Sequence, residues 1–102
     1  MTNRQIKEIS IFSAKDGIAN EEVLDVATSL TPMIAKMDGF IDRELTFDAK
    51  NNSFVCIINW ENQEKVDKAM EQMMSSPQSA KLFELIDGEN AKMMFLETKI
   101  KS

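Results

Sequence analysis

The sequence contains neither histidine nor tyrosine, and that absence decides most of the chemistry open to it. Metal centres built on imidazole, Ser-His-Asp and Cys-His catalysis, and haem held by a proximal histidine are all excluded. No phenol is available as an acid or hydrogen-bond donor. What remains is a set of carboxylates, lysines, arginines and amides, one cysteine (Cys56) and one tryptophan (Trp60), together with the reactivity of the substrate itself.

Among the carboxylates, Glu8, Asp42 and Glu44 fall within strand-like runs. A carboxylate turned inward there would be desolvated, its pKa would rise, and it could act as a general base toward a phenolic proton. The same three residues also fit solvated edge positions, or ion pairs with Arg43 and Lys7. Trp60 closes the most strand-like run of the chain and fits either a packing role or an electron-rich pocket wall. Cys56, in an apolar run, reads as a small buried hydrophobe rather than a nucleophile. Met33, Met37, Met70, Met73, Met74, Met93 and Met94 suit core filling, and Met93 and Met94 also suit an adaptable lining for a flat apolar ligand.

The elements that must position these residues follow from periodicity. Residues 5–13 (QIKEISIFS) form a strand candidate with Ile6, Glu8, Ser10 and Phe12 on one face and Ile9 and Ile11 on the other. After Asp16-Gly17, Asn20 stands as an N-cap with Glu21 and Glu22 in the first turn. A helical stripe of Val23, Ala27, Leu30 and Ile34 runs to Met37, with a kink or restart at Thr31-Pro32. Residues 40–48 form a second strand with Ile41, Arg43, Leu45 and Phe47 on one face, and Phe40, Asp42, Glu44 and Thr46 on the other. Residues 49–52 are a hairpin loop, and residues 53–60 (SFVCIINW) a third, antiparallel strand. Asn62 caps a helix striped by Val66, Ala69, Met70, Met73 and Met74. Ser76-Pro77 starts another short helix, and residues 91–99 form the last strand.

This order, βαββαβ, defines an α+β class of ferredoxin-like type: a four-stranded antiparallel sheet with the helices on one face. It fills all 102 residues as a single domain. The third strand is apolar on both faces, through Phe54, Cys56, Ile58 and Trp60 on one side and Val55 and Ile57 on the other. The last strand sets Met93 and Phe95 against Met94 and Leu96. A half-solvated antiparallel sheet alternates cleanly, so the helix-free face needs a cover. A second copy of the same face supplies one, giving a homodimer.

A formal charge of −5, with basic residues outnumbered 12 to 17, argues against a nucleic-acid partner. No run approaches the ~20 apolar residues of a membrane span. The opening MTNRQIKEIS lacks the apolar core of a signal peptide, and one cysteine allows no intrachain disulfide. The expectation is a cytoplasmic protein with no membrane partner.

The chain resembles the dimeric α+β barrel superfamily, and within it the antibiotic-biosynthesis monooxygenase-like group. The likeness rests on Met37-Asp38-Gly39-Phe40, Glu44-Leu45, Trp60-Glu61-Asn62-Gln63-Glu64, and Ser76-Pro77 through Phe83. It implies a pocket between sheet and helices for a small apolar or aromatic molecule. In catalytic members such a pocket holds a polycyclic phenol, anthrone or quinol, which O₂ oxidises without metal, flavin or other cofactor. Trp60, Phe40, Met93 and Phe83 become the substrate-binding candidates, and Trp60, Glu44 and Asp42 the catalytic ones. The sequence also departs from the group. Gln78 stands where some members have histidine, and the same-face neighbours of Trp60 are Ile58 and Cys56 where oxygenase members supply an amide. Haem degradation is excluded for want of histidine. Two main readings stay open: a cofactor-independent monooxygenase of a small aromatic or quinol-type substrate, and a non-catalytic dimeric barrel that binds a small apolar metabolite. A regulatory module of the amino-acid-binding kind is a third.

Overall fold

The computed structural model describes residues 4–102. Strand β1 (Ile6–Phe12) leads into a turn where Gly17 takes a positive φ. Helix α1 (Asn20–Ser29) follows, with Glu21 and Glu22 in its first turn. Asn20 is not its cap: the helix starts from Ala19, and the Asn20 side chain instead donates to Asn52 Oδ1 at 3.0 Å in a distant hairpin loop. As expected, Pro32 forces a restart, and α2 (Thr31–Ala35) carries the proline in its first turn. The Thr31 hydroxyl does not cap that helix; it accepts from Arg43.

Strand β2 (Phe40–Asp48) pairs antiparallel with β3 (Ser53–Trp60) through the expected hairpin, whose Asp48 carboxylate accepts from the backbone N–H groups of Lys50 and Asn51. A bulge between Phe40 and Asp42 corrects one expectation. It sets Phe40 opposite Trp60 and Asp42 opposite Asn59, so Phe40 shares the face of Trp60 and not that of Asp42. In β3 the burial alternates strictly, with Phe54, Cys56, Ile58 and Trp60 inward.

Asn62 and Ser76 cap the next two helices as predicted. Their side-chain oxygens accept from Lys65 N–H and Ser79 N–H at the starts of α3 (Gln63–Met74) and α4 (Pro77–Leu85). Val66 and Ala69 are buried on α3, whereas Met74 lies outside the stripe, largely in solvent. The chain then bridges back to Ala14 through Ile86 and ends the sheet with β4 (Lys92–Glu97).

The sheet order is β2-β3-β1-β4, antiparallel throughout, which is the ferredoxin-like arrangement. The core lies between one sheet face and the helices, joining Ile6, Phe12, Phe54, Ile58 and Trp60 to Val23, Leu30, Ile34 and Val66. Ile9, Ile11, Val55 and Ile57 on the opposite face are only partly covered, and Met94 and Leu96 are exposed. No helix among the described residues is long and apolar enough to cross a membrane.

Candidate functional site

The strand register sorts the helix-covered face into rows. Ile6, Trp60 and Phe40 stand side by side across β1, β3 and β2. Glu8, Ile58 and Arg43 form the next row, then Ser10, Cys56 and Leu45, then Phe12, Phe54 and Phe47. The outer rows are mostly aromatic: Phe40 meets Trp60 edge-on at 6.0 Å in one, and Phe12 stacks on Phe54 at 5.6 Å in the other, whose Phe47 is partly exposed. The inner rows carry the polar side chains and, at Ser10 and Cys56, small ones. A cavity of 170 Å³ opens over them. Leu30, Ile34, Met73, Leu82 and Phe83 of the helices and Met93 of β4 complete most of its wall.

Glu8 is only 3% exposed. Its Oε1 accepts the Trp60 indole N–H at 3.0 Å. Burial pushes its pKa above the usual carboxylate value, and the Trp60 bond, the Arg43 charge and the Ser10 hydroxyl hold back part of that rise. Arg43 anchors its fork at the helix junction, donating from Nη1 to Thr31 Oγ1 and from Nη2 to the Ala27 carbonyl, both at 3.0 Å. Among the described residues its buried Nε makes no hydrogen bond, although the Cys56 thiol lies near the guanidinium, and the Ser79 hydroxyl makes none either. Burial also raises the Cys56 thiol pKa, so it stays protonated and does not serve as a thiolate nucleophile at neutral pH.

The candidates read from the sequence are not all brought together here. Met93 and Phe83 line the cavity. Trp60, fully buried, stands outside that lining and reaches it only through Glu8. Phe40 packs behind Trp60. Asp42 is exposed on the other face, where it accepts from Asn59 Nδ2 at 2.7 Å, and Asn59 Oδ1 accepts from Lys7 Nζ at 3.0 Å. Glu44, opposite Ile57, is exposed on that same face. The residues that do converge include Arg43 and Ser79, neither singled out from the sequence. Arg43 left a signal there, as a lone cation on an otherwise apolar strand face. Ser79 left none, because a serine in the first turn of a helix is ordinary.

A buried carboxyl of raised pKa can accept a proton once ionised, an arginine beside it tempers the cost of its charge, and largely apolar walls strengthen the interactions between them. Among the described residues, no group of three or more Cys, Asp or Glu side chains is placed to hold a metal ion.

No protein-family model and no curated protein matches the sequence. Solved structures do match it. A mutant form of SnoaB, a cofactor-independent oxygenase from Streptomyces nogalater, superposes with a TM-score of 0.82 at 18% identity over 96% of each chain. A conserved protein from Methanosarcina mazei gives 0.75 at 17% identity over 94% of each chain. A candidate antibiotic biosynthesis monooxygenase from Nitrosomonas europaea gives 0.75 at 10% identity, over 97% of this chain and 94% of that one. At such identities the likeness is one of fold: the chain shares the ferredoxin-like α+β fold of these solved structures.

Proposed function

We propose that the protein is a cofactor-independent monooxygenase of a small aromatic or quinol-type substrate, with Glu8 as its base. The observation that carries this reading is the buried Glu8 carboxyl, raised in pKa and held by the Trp60 indole at the wall of an apolar cavity. The fold shared with an oxygenase adds support. Ionised Glu8 removes a proton from a phenol or an activated C–H, and the resulting electron-rich anion reduces O₂. For a hydroquinone the balance closes without another reductant. O₂ adds at a ring CH beside a hydroxyl-bearing carbon, the proton taken by Glu8 returns to the peroxide, and the CH–OOH group loses water to leave a carbonyl. Hydroquinone and O₂ thus give hydroxyquinone and water; an activated CH₂ follows the same course to a ketone. The substrate supplies all four electrons. Glu8 is the catalytic residue, Trp60 is a positioning residue acting through it, and Phe83 and Met93 contact the substrate.

The test is oxygen uptake with a panel of hydroquinones and anthrones. Glu8→Gln preserves an acceptor for the indole but removes the base, and uptake should fall by roughly 10²–10⁴-fold. Uptake unchanged in Glu8→Gln overturns the assignment. One observation favours the second reading, a non-catalytic binder. The same-face neighbours of Trp60 along β3 are Ile58, which has no hydrogen-bonding group, and a protonated Cys56, whose S–H is a weak donor where an amide would be a strong one. Saturable binding of a panel member without any uptake would establish it.

The homodimer belongs to the same proposal. Ile9, Ile11, Val55, Ile57, Met94 and Leu96 make an apolar patch on the helix-free face, with the Lys7–Asn59–Asp42 chain along one end. Two copies meeting on that patch bury it. Light scattering at micromolar concentration should report twice the monomer mass, and Ile57→Glu should halve it. A monomeric wild type would refute the pairing.

A further inference from the structure

We propose that the cavity is built for a single oxygenated aromatic ring, with the Ser79 hydroxyl and Arg43 Nε meeting acceptor oxygens of the ring while a ring hydroxyl donates to Glu8. This deepens the proposed function by naming the substrate class, and it rests on the cavity being the ligand site, though not on turnover.

Size comes first. An apolar cavity of about 150 Å³ holds benzene, and this one measures 170 Å³. It takes one ring with small substituents. Three fused rings would extend past the mouth, where Phe83 and Met93 are 55% and 50% exposed.

The polar inventory then fixes which substituents. Ser79 is 3% exposed and Arg43 Nε is buried, yet among the described residues neither makes a side-chain hydrogen bond. Roughly 90% or more of buried polar groups are hydrogen-bonded, and each exception in a native structure calls for a physical reason, a functional role among them. Both residues line the cavity. Their positions are not accidental. Arg43 is locked by two bonds from its Nη atoms to the α1–α2 junction, which leaves Nε as its buried nitrogen without a hydrogen-bond partner. Ser79 is set by the Ser76 cap, whose Oγ accepts the Ser79 N–H at 3.3 Å. One helical turn beyond it, Phe83 lies on the same side of α4, so the helix presents a donor inside the cavity and an aromatic ring at its mouth. Both unsatisfied groups can donate, and Glu8 is the acceptor. A bare hydrocarbon would leave both donors unmatched.

Calorimetric titrations under anaerobic conditions, with hydroquinone, phenol, toluene and anthrone on wild type and Ser79→Ala, test this. In the wild type, hydroquinone should bind tighter than phenol, phenol tighter than toluene, and anthrone weaker than hydroquinone. Ser79→Ala should weaken hydroquinone ~10-fold, the weight of one hydrogen bond, and leave toluene within about two-fold. The melting temperature of Ser79→Ala should stay level or rise, since an unmatched buried hydroxyl has gone, and a serine of merely structural role would lower it. Equal loss for all ligands, no loss for any, or toluene or anthrone binding as tightly as hydroquinone would overturn the inference. The oxygenase reading fails separately: ligand selectivity without oxygen uptake sinks that reading and leaves this one standing.

Discussion

One end of the helix-covered sheet face is solid and the middle is hollow, although both are built from the same three strands. At the solid end Ile6, Trp60 and Phe40 fill their row, and every side chain there is apolar apart from an indole N–H that has its acceptor. In the middle, Ser10 and Cys56 occupy positions where the outer rows carry Ile6 and Phe12 on β1 and Trp60 and Phe54 on β3, and Ser79 descends from α4 above them. Small side chains between large ones leave a void, and interiors close-pack too tightly to collapse over it. Glu8 joins the two regions, bonded to the packed end and facing the open one. A rigid packed row is thus what holds the carboxyl that the hollow needs.

The largest expected effect comes from breaking the solid end. Trp60→Ala should cost ~3–5 kcal/mol in chemical denaturation, by cavity creation and loss of the Glu8 donor. Activity should fall with it. In Trp60→Phe most of the packing remains and only the indole N–H is lost, so a smaller cost, ~1–3 kcal/mol, isolates the hold on Glu8. A Trp60→Phe protein with wild-type stability and pH behaviour would mean that the packed row does not govern the carboxyl.

Gly39 tests how tightly that end is closed from outside. It has φ of +88°, its carbonyl accepts Glu61 N–H at 2.8 Å, and an added Cβ would collide with the Lys65 side chain, which pairs with Asp38. Gly39→Ala should destabilise by ~2–3 kcal/mol, from backbone strain plus displacement of Lys65. The equivalent change at Gly17, whose Cβ would meet nothing, adds strain alone and should cost less.

How far this contrast was legible in the sequence depends on the range of the interactions. The β3 alternation, the Pro32 restart and the Asn62 and Ser76 caps are local, set by residues within a turn or two of one another, and they appear where residue type and spacing put them. Asn20 had the right type for a cap, but a bond to Asn52, 32 residues away, uses its side chain otherwise. The β2 bulge depends on pairing with β3, so the face occupied by Phe40 could not be read from alternation. The site lies at the far end of that scale. Glu8 and Arg43 were visible as charges on strand faces with apolar neighbours, a pattern that fits solvated edge positions or an ion pair as well as a site. Their convergence with Ser79 needs three strands and a helix start brought together, and no single stretch of sequence encodes it.

The smallest effect sharpens the comparison most, because it separates the carboxyl from the packing. Burial raises the Glu8 pKa in the folded protein above the ordinary 4.5. Between those two values the folded state binds the extra proton, so raising the pH through this window removes stability. Below 4.5 the protonated group carries no penalty; above the folded pKa the full cost of a buried charge remains, tempered by Arg43. Glu8→Gln has no such proton to lose. Its stability should match wild type to within about 1 kcal/mol in acid, where both side chains are neutral and both can accept from the indole, and exceed it above the folded pKa. Oxygen uptake should run the opposite way in the wild type, rising through the same window as the base ionises. Denaturation midpoints of the two proteins across pH 4–8 would show the curves parting, and curves that stay parallel would mean that Glu8 does not carry the buried proton at all.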